Sequence, residues 1–341
     1  MRDRAYFGSY TTGAAGGRGI ATASIDPGTG SPVIDDIVAV ADPSYLAISA
    51  DRRCLYAVNE GAGPGSVTAV DLRADPPVVL NSVAVQGIGP THLCLSPDGR
   101  HVLTANYMSG SVSVVAVHED GRLGALTDVV PHHGAGPDPD RQAGPHVHQV
   151  LIDPSGHWVV VVDLGVDAVY VYRLVDGTLH QHARVAMTPG SGPRHLVWHP
   201  DGRRAFLANE LNSTVTVCEW RAETGELRPG KSIPTDAADH GAPSEPVLAH
   251  DGRRLYLASR GPDTIVTFEI TGDELTQVHS VPCGGALPRD LHLAPDGTRL
   301  YVANQTSGTV TWLDLDPVTG LPAAPSGALD FPAATAVLFS E

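Results

Sequence analysis

The chain has 341 residues, 38 Asp and Glu against 22 Lys and Arg, and a formal charge of -16. So acidic a composition argues against nucleic acid or an anionic membrane as partner, because both select basic surfaces. The N-terminus, MRDRAYFGSY, lacks the apolar stretch of a secretion signal, and no run approaches the ~20 apolar residues of a spanning helix, so a soluble cytoplasmic protein is expected.

In chain order, RAYFGSYT reads as a strand with no hairpin partner ahead of it. The glycine-rich stretch from Gly13 to Gly19 follows a strand but opens no helix, so a hairpin is expected there and not a phosphate loop. A phrase then recurs six times: RRCLYAVNE, RHVLTANY, HWVVVVDLG, RRAFLANE, RRLYLASR and TRLYVANQ. Each follows an apolar strand and a DG-like turn. The turns near Asp51, Asp98, Ser155, Asp201, Asp251 and Asp296 lie roughly 45–57 residues apart, the period of a propeller blade. The abundance of glycine (37) and proline (28) suits short strands joined by tight turns.

One repeat shows the internal order. His195 to His199 reads as a first strand, Pro200 to Gly202 as a turn, Arg204 to Asn209 as a second strand and Thr214 to Glu219 as a third. A hairpin at Gly225 to Leu227 leads to a fourth, giving a four-stranded antiparallel blade. The chain ends in PAATAVLFSE, which reads as a first strand. Pairing it with RAYFGSYT completes a seventh blade and closes the ring without a free seam. The expectation is all-β: a seven-bladed β-propeller as a single domain over 1–341, with six blades and stray terminal strands as the alternative. One segment breaks the period. PHHGAGPDPDRQAGPH, ahead of His148, is a long Gly/Pro loop, either a flap over the site or a passive insertion.

Aligning the repeats on their turns defines two polar columns. The start of strand one reads Ser44, Thr91, His148, Arg194, Ser244 and Arg289. The end of strand two reads Asn59-Glu60, Asn106-Tyr107, Asp163-Leu164, Asn209-Glu210, Ser259-Arg260 and Asn304-Gln305. A hairpin places both columns on one face, at the mouth of the propeller. The recurrent Asn fit turn chemistry. The neighbouring positions vary from blade to blade, as an architectural repeat does not require. Arg194, Arg260 and Arg289 are candidates for an anion pocket, with Glu60, Asp163 and Glu210 as counter-charge.

His148 is the candidate for proton transfer, since an imidazole of ordinary pKa ~6.5 works as acid or base at neutral pH. His146 and His148 share a strand face and form a possible metal pair, but no third ligand has suitable spacing, so neither metal nor other cofactor is expected. His195 and His92 are expected between blades, and His101, His157, His180 and His182 at the surface. The four cysteines lack metal spacing and read as buried free thiols. No nucleophile elbow is evident, so acid–base chemistry is favoured over a covalent route.

GPHVHQVLIDPSG, VVVVDLGVD, SGPRHLVWHPDGRRAFLANELNSTV, RRLYLASRGPDTI and LPRDLHLAPDG resemble the seven-bladed lactonase family, which includes 6-phosphogluconolactonases and carboxy-cis,cis-muconate cyclases. The likeness runs from FGSYT to VANQTSGTV. It implies a propeller acting on a lactone without a required metal. It also implies active-site roles for His148, Arg194, Glu210 and Arg260, the residues matching the family's PHVH, GPRH, NEL and SRG phrases. The first blade, ADPSYLAIS, departs from the family's usual histidine before the Pro-Ser pair. The function expected is hydrolysis of a small anionic sugar lactone, with Arg289, Asn106, Tyr107, Glu60 and Asp163 lining the substrate site. The alternatives are a lactone-forming cycloisomerase and a non-catalytic binding module.

Overall fold

The computed structural model describes residues 4–340 apart from 14–15, 27, 62 and 236–240. Among these residues there is no helix, and the strands form seven sheets of four. The fold class is the expected seven-bladed β-propeller. Six sheets take their strands in chain order, over 46–88, 90–131, 147–186, 193–234, 242–282 and 288–330, here blades one to six. In blade seven the C-terminal strand Ala334–Phe339 pairs antiparallel with Arg4–Ser9, with Ala5 opposite Phe339 and Phe7 opposite Val337. Strands Ile20–Ile25 and Pro32–Val38 complete that sheet, so the six-bladed alternative falls. Within the glycine-rich stretch, Ala14 and Ala15 lie outside the described residues.

Blade four follows the pattern read from its sequence: Pro193–Trp198, Arg204–Asn209, Thr214–Arg221 and Glu226–Pro234. Its turn needs a left-handed residue, supplied by Gly202 at φ 66°. Blade one has Arg52 at the equivalent place, held at φ 59° where a side chain is disfavoured.

The described chain falls into two compact units: Met1–Ala39, His195–Cys218 and Pro229–Glu341 in one, Val40–Arg194 and Glu219–Arg228 in the other. In the second unit, first strands of successive blades pack on each other, Leu46–Ile48 on Pro90–Leu95 and that on Val147–Ile152. In the first unit Ala242–Leu248 packs on Pro288–Leu293 and that on Ala334–Phe339. Apolar side chains fill the space between sheets, such as Phe7, Tyr301, Phe331 and Phe339 between blades six and seven. Each buried side chain of this size contributes roughly 1.5–3 kcal/mol of transfer free energy.

The recurrent Asn do more than shape turns. Asn106 Nδ2 donates to Ser111 Oγ (3.1 Å) and Ser113 Oγ (2.8 Å). Asn209 Nδ2 donates to Thr214 Oγ1 (2.9 Å) and Thr216 Oγ1 (2.8 Å). Asn304 Nδ2 donates to Thr311 Oγ1 (2.8 Å), whose hydroxyl donates on to the Cys283 carbonyl (2.6 Å) in the segment entering the blade. Asn59 Oδ1 accepts from Ser66 and Thr68. Each Asn ties strand two to the hydroxyl-bearing start of strand three.

Candidate active site

Blade three replaces the column's Asn with Asp163, which is fully buried. Its Oδ2 accepts from His132 Nδ1 at 2.7 Å. Its Oδ1 accepts the backbone N–H of His146 (2.8 Å) and of Gly165 (3.0 Å). His132, also buried, bonds Tyr172 OH through Nε2 at 2.9 Å and stacks on Tyr170 at 3.8 Å. With Nδ1–H donated to the carboxylate, Nε2 is left to accept from the tyrosine hydroxyl. Burial pushes the Tyr172 hydroxyl far above its usual pKa, which keeps it a donor. Asp163 therefore belongs to the frame and not to the substrate wall: it has no exposed surface, and both oxygens are taken up by the protein. Asn106 needs the same correction, because its amide is fully buried and bonded to Ser111, Ser113 and Thr104.

The two columns meet across neighbouring blades. Thr91 Oγ1 donates to Glu60 Oε2 at 3.3 Å. The Tyr107 ring stacks on His146 with centroids 4.4 Å apart and meets the His148 ring edge-on at 5.5 Å. His146 Nδ1 lies 2.9 Å from the Tyr107 carbonyl and is matched to it as a donor. His148 is buried on the strand Val147–Ile152, and Arg194 is buried on Pro193–Trp198. Tyr107 OH accepts from Arg141 Nη2 at 3.2 Å.

In the other unit, Arg260 ends the strand Arg254–Arg260 and pairs with Glu210, Nη2 to Oε2, at 2.6 Å. Its Nε donates to the Ala242 carbonyl at 3.1 Å, which fixes the plane of the guanidinium. Glu210 is buried, so the pair is far less screened than a surface pair. The expected counter-charge for Arg260 is thus present. Arg289 lies over the Tyr10 ring, 5.2 Å from its centroid, within cation–π range. His195, buried on its strand, bonds Glu245 through Nδ1.

His157, His180 and His182 are exposed, as expected, while His101 is partly buried. All four cysteines are unpaired, and burial pushes Cys94 and Cys218 up to about 12, well out of the range of reactive thiolates. Among the described residues no group of three or more His, Cys, Asp or Glu is placed to hold a metal ion. The sequence reading passed over His132, Arg141 and Gln142. All three sit in the one segment that breaks the repeat period, and that break was the available signal.

Residues 4–339 match the family model described as lactonase, 7-bladed beta-propeller. The 6-phosphogluconolactonase of Bacillus subtilis (strain 168) is 33% identical over 323 residues, covering 92% of each chain. A solved protein from Lactobacillus plantarum superposes with a TM-score of 0.93 at 34% identity over the full length of both chains. The periplasmic gluconolactonase of Pseudomonas aeruginosa superposes with a TM-score of 0.92 at 31% identity, covering 100% of this chain and 99% of that one.

Proposed function

Since this chain belongs to the lactonase family of seven-bladed β-propellers, we propose that it opens a small anionic sugar lactone, of the 6-phosphogluconolactone kind, to its hydroxy acid. The reading takes residues 1–341 as one propeller domain working in the cytoplasm. The observation that carries it is the similarity to a protein named 6-phosphogluconolactonase across 92% of both chains. Four unpaired thiols fit a reducing compartment.

The roles follow from the chemistry of ring opening. His148 takes a proton from water as the water oxygen bonds to the lactone carbonyl carbon. The carbonyl oxygen becomes an oxyanion. Arg194 and Arg260 supply fixed positive charge, to that oxygen and to the substrate's anionic group. The ring C–O bond then breaks, and the imidazolium returns its proton to the departing ring oxygen. One water is added across one bond, and every group returns to its starting state. Glu210 orients Arg260 through their 2.6 Å ion pair and balances its charge. Arg289, Glu60 and Tyr107 line the substrate site.

The test is Arg260→Ala assayed by kcat/KM on 6-phosphogluconolactone. One well-aimed donor is worth ~10²–10³-fold in rate, so a loss of at least tenfold is expected. A loss below threefold removes Arg260 from the mechanism. Analysis of the product separates ring opening from a ring-closing cycloisomerase.

A further inference from the structure

In blades two to six the residue immediately before strand three is left-handed: Gly110, Asp167, Ser213, Asp263 and Gly308, at φ 58°, 46°, 52°, 56° and 65°. These positions are equivalent, because the carbonyl of each accepts the N–H of the residue that follows strand four of its blade: His132, Met187, Thr235, Cys283 and Phe331. Glycine takes such a backbone most readily. Two of the five are nevertheless aspartates, in blades three and five. Those are the two blades followed by a first strand that contains an arginine, Arg194 on Pro193–Trp198 and Arg289 on Pro288–Leu293. Among the described first strands no other holds an arginine.

Each aspartate reaches into the link that leads to its arginine. Asp167 is buried. Its Oδ2 accepts the N–H of Gly190 (2.6 Å), and its Oδ1 accepts the N–H of Gly192 (2.8 Å) and the hydroxyl of Ser191 (3.3 Å). Gly190 and Gly192 are left-handed themselves, at φ 77° and 58°, so the link has little stiffness of its own. The carboxylate anchors it two residues ahead of Arg194. In blade five Asp263 Oδ1 accepts the N–H of Leu287 at 2.9 Å, again two residues ahead of the arginine, here Arg289. Bonds from backbone amides to a carboxylate are charge-assisted and hold their geometry well. Gly110 and Gly308 have no side chain with which to do this, and Ser213 brings no charge. The turn carries a carboxylate clamp only where the next first strand delivers an arginine.

We infer that Asp167 and Asp263 are positioning residues, each of which sets, through the amides of the link ahead of it, the arginine of the next blade: Arg194 for Asp167 and Arg289 for Asp263. The inference rests on the lactonase reading of the preceding section. It is tested with Asp167→Asn, Arg194→Ala and the double variant, and with the matching set at Asp263 and Arg289. An asparagine keeps the left-handed backbone but has one acceptor oxygen where the carboxylate uses two. Asp167→Gly removes the side chain without strain at φ 46° and serves as a second deletion. Each protein, checked for folding by circular dichroism, is assayed for kcat/KM on 6-phosphogluconolactone and for calorimetric affinity toward 6-phosphogluconate. Displacing a group that must meet the substrate is costly, so Asp167→Asn lowers kcat/KM by about tenfold and Asp167→Gly by more. In the Arg194→Ala background the same change costs less than about twofold, because the residue through which Asp167 acts is gone. Asp263→Asn behaves alike toward Arg289, with a smaller loss, since it holds one amide where Asp167 holds two. A merely structural role predicts losses that persist undiminished when the arginine is absent, and that result overturns the inference. So does full activity in folded Asp167→Asn and Asp167→Gly. A wild type that binds the acid but opens no lactone sinks the lactonase reading alone, and the affinities of the same variants then decide for or against the clamp. A wild type that does neither sinks both.

Discussion

Two adjacent columns of the propeller have been put to opposite uses. At the end of the second strand of blades one, two, four and six, one position holds the blade together: Asn59, Asn106, Asn209 and Asn304 all bond hydroxyls on strand three. The next residue varies from blade to blade: Glu60, Tyr107, Leu164, Glu210, Arg260 and Gln305. In those four blades the first column satisfies buried side-chain groups, the same demand met the same way each time. The second meets no such demand, so it is free to differ. It holds the Glu210–Arg260 pair in one unit and the Tyr107–His148 contact in the other. In a repeat fold, sameness marks architecture, and difference at a framed position marks chemistry.

The sharpest way to break this comparison is at His148. If the variable positions and their partners carry the reaction, His148→Gln lowers kcat on 6-phosphogluconolactone by about 10³-fold, the usual loss when a general base is removed. The urea midpoint should move little beside that loss. A variant that unfolds early but turns over normally would make His148 one more architectural residue.

Blade three tests the other side, since it carries Asp163 where blades one, two, four and six carry Asn. Asp163→Ala leaves two backbone N–H groups and His132 Nδ1 without their acceptor in a dry site, and should cost about 3 kcal/mol by urea unfolding. Asp163→Asn restores the column's usual residue and should cost about half as much. Its carbonyl can still serve the two amides, while its NH2 forces His132 to the other tautomer and leaves one hydrogen buried without a partner. Equal costs for the two variants would show that charge and tautomer, not shape, are what blade three selects.

The fold was legible because the repeat phrase fixes strand, turn and strand six times over, and the leftover ends could only pair with each other. His148, Arg194, Glu210 and Arg260, the proposed site, were picked out as departures at aligned positions. Asn106 and Asp163 were misassigned because alignment gives position and not direction. A polar residue at a strand end reads the same whether it faces a cavity or bonds Ser111 and Ser113. The signal that decides it, Ser or Thr five and seven residues after Asn106, Asn209 and Asn304, lies in the next strand. His132 was invisible for a related reason. Its partners Asp163 and Tyr172 are distant in sequence, and no local pattern announces a contact made only on folding.

Asn304→Ala measures the architectural column directly. It removes the amide that holds Thr311 and the carbonyl oxygen that accepts from Cys283 Sγ at 3.2 Å. The expected loss is about 2 kcal/mol in urea, with kcat/KM little changed. A large fall in kcat/KM at unchanged stability would dissolve the distinction between the two columns.

The smallest effect concerns a first-strand residue outside both columns. His292, on Pro288–Leu293, lies against Phe339 with ring centroids 5.5 Å apart. Desolvation, and behind it the charge of His250, lowers its pKa from 6.5 to about 4. A depressed folded-state value means that the unfolded chain binds the proton first. Stability is therefore intact above pH 6.5, falls as pH drops from about 6.5 to about 4, and is level below that as far as this group is concerned. Because water still reaches part of the ring, the loss should be about 1 kcal/mol and not the full value of the shift. His292→Gln removes the titrating group, so subtracting its stability curve from that of the wild type between pH 4 and 6.5 isolates the contribution from the other histidines. A difference curve with no slope in that window would mean that His292 takes up its proton in the folded state as easily as in the unfolded one, and that the packing against Phe339 excludes too little water to matter.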